Sequence, residues 1–147
     1  MSEQNKTLIR RFAEEIWNKR DSSKLGDFLA PNCSIQTPDG TLRGANEYKQ
    51  LHETYLRAFP DCKLTIDEVI AEGDMAAARY TFTGTHKGEL RGVAPTGKHL
   101  NETGMMICRI ANGKITEETS IWDRLSLLEK LGVAPEAVKL LARSAGR

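Results

Sequence analysis

The candidate chemistry of this chain lies in a few polar side chains set among apolar ones. The stretch Ile115-Thr-Glu-Glu-Thr-Ser-Ile-Trp-Asp-Arg-Leu125 crowds Glu117, Glu118 and Asp123 beside Ser120 and Trp122, between a strand-like and a helix-like run. Carboxyls placed there can move protons or orient a ligand. Strand alternation sorts them: Glu118, Ser120 and Trp122 share one face, while Glu117, Thr119 and Ile121 share the other. Asp123 falls where strand gives way to helix, and capping the first turn accounts for it. Upstream, Ala76, Ala78, Tyr80, Phe82, Gly84 and His86 form an apolar row ending in a histidine. That histidine reads either as a proton-transfer group near neutral pH or as a hydrogen-bonded strand end. In the row Leu100, Glu102, Gly104, Met106, Cys108 and Ile110, Glu102 is the outlier. Burying it unpaired is costly, so it must raise its pKa, find a partner or face water in a cavity. His52 sits on an apolar helical stripe between Tyr48 and Tyr55, a placement that favours a satisfied structural group over a ligand-binding one.

The elements that carry these residues follow from periodicity. Leu8, Phe12 and Ile16 with Ile9, Ala13 and Trp17 recur at helical spacing, predicting a helix over roughly residues 3–20. A short helix is expected from Ser22 to Ala30, capped by Ser22 or Ser23 and closed by Pro31. Cys33–Thr37 reads as a short strand, and Pro38-Asp39-Gly40-Thr41 as a turn. Tyr48, Leu51, His52, Tyr55, Leu56 and Phe59 predict a third helix ending before Pro60. The period then becomes two, with strands over Lys63–Ala71, Met75–His86, Leu100–Ala111 and Lys114 to about Trp122, the last pair joined by Asn112-Gly113. A helix from Asp123 stops at Gly132, and Pro135–Arg143 reads as a last helix. This is an α+β arrangement: a curved antiparallel sheet of about five strands, with N-terminal helices closing a pocket on its concave face.

The bulk properties narrow the function. At 147 residues the chain reads as one domain, residues 1–147, with 135–147 as a helical extension. Net charge of +1 with 28% charged residues gives no electrostatic reason to expect nucleic acid or a membrane surface. No apolar run is long enough to span a bilayer, and the N-terminus has an amphipathic pattern rather than a signal peptide's apolar block. Cys33, Cys62 and Cys108 are widely spaced, which points to reduced thiols in the cytoplasm and to neither a disulfide frame nor a zinc site. No histidine or carboxylate spacing suggests another metal. Gly92 to Lys98 matches the spacing of a phosphate-binding loop, but His99 follows and then a strand, so the match is superficial.

Several segments in order resemble the SnoaL-like polyketide cyclases, or ester cyclases, of the NTF2-like superfamily of cone-shaped barrels. They are Ala58-Phe-Pro-Asp61, Glu72-Gly-Asp74, Gly84-Thr-His-Lys-Gly88, Gly92-Val-Ala-Pro-Thr-Gly-Lys98, Gly113-Lys-Ile-Thr-Glu117 and Leu127-Leu-Glu-Lys-Leu-Gly-Val133. The resemblance implies ring closure of a hydrophobic, oxygenated small molecule by aldol-type acid/base chemistry without a cofactor, in a homodimer. It also places Ser120 where the family has its catalytic aspartate, and matches His86 to the family's histidine. The expected catalytic set is therefore His86 and Glu102 as the acid/base pair, with Ser120 and Glu118 orienting substrate. Trp17, His52, Tyr55, Tyr80, Phe82, Met106 and Trp122 are the expected pocket residues. Loss of the aspartate leaves open a non-catalytic binding protein, or a related lyase, isomerase or epoxide hydrolase.

Overall fold

The apolar stripe of the N-terminal helix buries Leu8, Ile9 and Phe12, then Ala13, Ile16 and Trp17. In the computed structural model, which describes residues 2–133, that stripe runs along α1 (Ser2–Phe12) and a continuing π-helical turn, Ala13–Asn18. The wider turn suits a carbonyl satisfied from outside: His52 donates its Nε2–H to the Ile16 carbonyl at 2.7 Å. The next segment differs from expectation. A 3-10 turn, Ser22–Lys24, leads into α2 (Leu25–Phe28), and the cap is Asp21, whose carboxylate accepts from Ser23 N–H at 3.1 Å. Helix gives way before Pro31, because β1 already begins at Leu29 and runs to Thr37. Then come β2 (Gly40–Arg43) and α3 (Gly44–Ala58).

The two-residue period yields β3 (Lys63–Glu72), β4 (Met75–Thr85), β5 (His99–Ala111) and β6 (Lys114–Trp122). Asn112 and Gly113 both take positive φ, 52° and 72°, as a tight hairpin between β5 and β6 requires. The short α4 (Arg124–Lys130) is capped by Asp123, which accepts from Ser126 N–H at 2.8 Å. Gly132 ends it at φ 79°. The helix expected over Pro135–Arg143 lies outside the described residues.

One sheet joins all six strands in the order β2-β1-β6-β5-β4-β3. The purely antiparallel sheet expected from sequence is corrected at one seam: β1 pairs with β6 in parallel, Ile35 opposite Glu118. That pairing brings a strand laid down before α3 against the last one, so the sheet wraps around the helices. Its inner face carries the alternation read from sequence, every even position from Leu100 to Ile110 being buried. Between that face, α1 and α3 the core does not close completely; it leaves a cavity.

Candidate active site

The cavity has a volume of about 90 Å³. Its walls are mostly aromatic. Phe12, Tyr48, Trp17, Phe82, Tyr55 and Trp122 form a continuous belt of edge-to-face pairs, with ring centroids 5.6 to 6.4 Å apart. Such a belt offers apolar area and fixed ring edges to a flat, hydrophobic molecule. Of the expected pocket residues, Trp17, Tyr55, Tyr80, Phe82, Met106 and Trp122 all line the cavity. His52 does not; it is fully buried behind Trp17, its ring 4.7 Å away, tying α3 to the π-helical turn.

The sheet sets the polar groups in a row. Along β6, Glu118, Ser120 and Trp122 all face inward, about 6.6 Å apart per pair of residues. Glu118 lies opposite Cys108 of β5 and Ile35 of β1. It is 6% exposed, and no hydrogen-bond partner reaches its Oε1. Burial alone pushes the carboxyl up to about 7. Next along the strand, the Ser120 hydroxyl and the Tyr80 phenol are hydrogen-bonded at 2.8 Å. Burial holds that phenol up at about 12, so it stays protonated. Tyr80 can cross the sheet only because its neighbour is glycine: a Cβ on Gly104 would sit 2.4 Å from the Tyr80 ring and hydroxyl. Two residues on from Ser120, the Trp122 indole N–H is buried with no acceptor among the described residues. Glu102, also in the cavity wall, is ion-paired with Lys130 Nζ of α4 at 2.9 Å. Its outlier position in an apolar row is thus answered by a partner.

His86 is not part of this wall. It is fully buried where β4 leaves the sheet, against Phe59 at 5.5 Å. Its Nδ1 accepts the Thr96 N–H at 3.2 Å and also contacts Thr96 Oγ1 at 3.0 Å. Burial lowers its pKa, keeping it neutral. His86 therefore pins the glycine-rich segment between β4 and β5, a loop-anchoring role.

Two parts of the site were not visible in sequence. Tyr48 lines the cavity and accepts the Trp17 indole N–H at 3.0 Å. Asp39, read as an ordinary turn residue, has a carboxylate only 3% exposed. It accepts from the Tyr55 hydroxyl at 2.8 Å and pairs with Arg124 of α4 at 3.3 Å and Arg91 of the long loop at 3.5 Å. One carboxylate thus joins a cavity wall, the loop and α4. Asp39→Ala is expected to lower stability by about 2 kcal/mol in urea unfolding, because charged hydrogen bonds are lost and a buried hydroxyl is orphaned. Tyr55→Phe removes one of those bonds and is expected to cost about 1 kcal/mol.

Metal-binding groups of three or more His, Cys, Asp or Glu are absent among the described residues, and none of their helices is long and apolar enough to cross a membrane.

Among solved structures, AclR of Streptomyces galilaeus, a candidate hydroxylase, superposes with a TM-score of 0.80 at 30% identity, over 92% of this chain and all of that one. Wild-type IdmH of Streptomyces antibioticus, a candidate polyketide cyclase, matches at 0.77 and 29% identity, over 87% of this chain and 98% of its own. A candidate SnoaL-like polyketide cyclase from Jannaschia sp. CCS1 shares the NTF2-like fold at 0.82 and 20% identity, over 91% and 95% of the two chains. No curated protein matches the sequence. The family model for SnoaL-like polyketide cyclase matches residues 7–131, and the chain belongs to that family.

Proposed function

We propose that this protein is a cofactor-independent acid/base enzyme of the polyketide or ester cyclase type, with Glu118 as the proton-transfer group. One observation carries the reading. A buried carboxyl, its Oε1 without a hydrogen-bond partner among the described residues, lines an aromatic cavity, and burial tunes it to about 7. A base poised near ambient pH combines a useful ionised fraction with a useful proton affinity. It can remove a proton alpha to a ketone or ester carbonyl, and in a cyclase the resulting carbanion attacks a second carbonyl of the same molecule. Ser120, at the family's aspartate position, has no basicity of its own, but its pairing with Tyr80 offers the site a hydroxyl. Glu102, held by Lys130, is a substrate-orienting charge in this reading, and His86 supports the loop.

The reading includes a reducing, cytoplasmic setting, supported by three buried free thiols. It also includes pairing with a second copy through the outer face of β5 and β6, where Met105, Ile107 and Ile121 stand exposed. The likeness to AclR favours a second reading, hydroxylation, which oxygen uptake in the presence of substrate would reveal.

Deuterium exchange into the α-carbon of 2-tetralone, a flat enolisable ketone, tests the proposal without knowledge of the natural substrate. The protein is expected to accelerate exchange, and Glu118→Gln to reduce it by about 100-fold or more. His86→Ala should lower it less than about fivefold beyond any loss of folded protein. Full exchange in Glu118→Gln would refute the assignment. Binding of the ketone without exchange would mark a binding protein.

A further inference from the structure

The reading of Glu118 as base leaves the other half of the reaction unassigned. Removing an α-proton puts negative charge on the carbonyl oxygen, and an apolar cavity holds such charge only where a donor meets it. Tyr48, Tyr80 and Ser120 are candidates among the polar groups that line the cavity, which also include Thr37, Thr103 and the Trp122 indole N–H. In the Tyr80–Ser120 pair the hydroxyl that accepts keeps a free proton, but either oxygen can be the donor, so the direction of that bond is open.

Tyr48 differs. Its oxygen accepts the Trp17 N–H at 3.0 Å, and indole nitrogen can only donate. The direction of that bond is therefore fixed, and the phenol's own proton must point elsewhere. Among the described residues that proton meets no acceptor. Tyr48 is buried within the cavity wall, so the acceptor for that proton has to come from what occupies the cavity. Burial, with the Glu118 carboxylate beside it, pushes the phenol well above its usual value, so it remains a donor whenever Glu118 is ionised. The rings of Phe12 and Trp17 pack edge-on against Tyr48 at 5.6 and 6.4 Å and hold it in place.

We infer that Tyr48 is a catalytic hydrogen-bond donor to the substrate's carbonyl oxygen, aimed by Trp17 as a positioning residue, and that the ligand is therefore a carbonyl compound bound with that oxygen against Tyr48. The inference rests on Glu118 being the base. In the step, the α C–H bond breaks, its proton passes to the Glu118 carboxylate, and the electron pair moves to the carbonyl oxygen, which tightens its bond to the Tyr48 hydroxyl. Return of the proton to carbon regenerates the ketone; attack of the carbanion on a second carbonyl instead forms the ring's C–C bond, the carbonyl π pair becoming an alkoxide that takes the proton back from Glu118.

Two probes test this on the whole chain, with circular dichroism as a check of folding. In 2-tetralone exchange, Tyr48→Phe should lower kcat roughly 100-fold with KM within about threefold, the pattern of a contact made in the transition state. Trp17→Phe, which removes the aiming bond together with part of the ring that packs on Phe82 and His52, should lower kcat by about 10-fold. The second probe, 2-naphthol, carries the enol-like oxygen without reacting. It should bind the native chain, and Tyr48→Phe about 3- to 10-fold more weakly, the worth of one hydrogen bond. If Glu118→Gln loses exchange while Tyr48→Phe keeps both exchange and naphthol affinity, the donor assignment is overturned and the base assignment stands. If Glu118→Gln keeps exchange, the base assignment fails, and naphthol affinity unchanged by Tyr48→Phe then overturns the donor as well. A native chain that binds no naphthol at millimolar concentration also overturns it.

Discussion

Glu118→Gln is expected to make the protein more stable relative to the native chain as pH rises, while it removes proton transfer. Burial lifts the Glu118 carboxyl from 4.5 to about 7. In the unfolded chain the same group ionises near its ordinary value. Between about 4.5 and 7 the folded state therefore binds more protons than the unfolded one, and stability falls as pH climbs through that window. Above it the full cost of a buried carboxylate is present. A shift from 4.5 to about 7, at about 1.4 kcal/mol per unit, sets that cost at up to about 3 kcal/mol. Glutamine does not ionise, so its variant escapes the loss. The measurement is urea unfolding of both chains at pH 5 and pH 8. The stability of the variant minus that of the native chain should grow by about 2–3 kcal/mol between the two. His52 and His86 contribute alike to both chains and cancel from the difference, as does any fixed penalty of burying the amide. Stability gained with function lost is the signature of a group retained for its chemistry.

Gly104→Ala should produce the second large effect. The added Cβ would stand 2.4 Å from the Tyr80 ring and hydroxyl, far inside contact distance. Backbone conformation is not the obstacle, since Gly104 lies in regular strand opposite Tyr80 and Trp122. The ring has to leave its place across the sheet, which breaks its 2.8 Å bond to Ser120 and pushes it into the cavity. Overpacking of this kind costs about 1–3 kcal/mol, and activity should fall further than stability because the site's hydroxyl pair is dismantled. A double-mutant cycle with Tyr80→Leu isolates the cause. In that background the clashing atoms are gone, so Gly104→Ala should cost at least about 1 kcal/mol less than in the native chain. Equal costs in both backgrounds would place the damage elsewhere.

Alternation made the inner face of the sheet legible in sequence. It put Glu102, Glu118, Ser120, Tyr80 and Trp122 on inward positions, and all five line the cavity. Asp123 was equally legible, because capping is a local matter of one side chain and the next turn. What alternation could not give is which inward positions reach the cavity. Parity put both His86 and Glu118 on candidate inward faces, yet one lies under a loop and the other in the cavity wall. The difference depends on β1 pairing in parallel with β6, a contact between strands far apart in the chain that no local pattern encodes. Asp39 was missed for the same reason, since its arginine partners arrive from the long loop and from α4. Tyr48 read as one more apolar-face residue of α3; its meaning comes from the Trp17 indole, which only tertiary packing brings to it.

The central claim is that the fold holds one carboxyl, Glu118, poised to exchange a proton near neutral pH. Carbon NMR of protein labelled at the glutamate carboxyl carbons, with Glu118→Gln used to assign the signal, reads this directly and needs no substrate. A Glu118 midpoint near 7 is the predicted result, as burial without a partner requires. A midpoint near 4.5, with the ordinary exposed glutamates, would contradict the account.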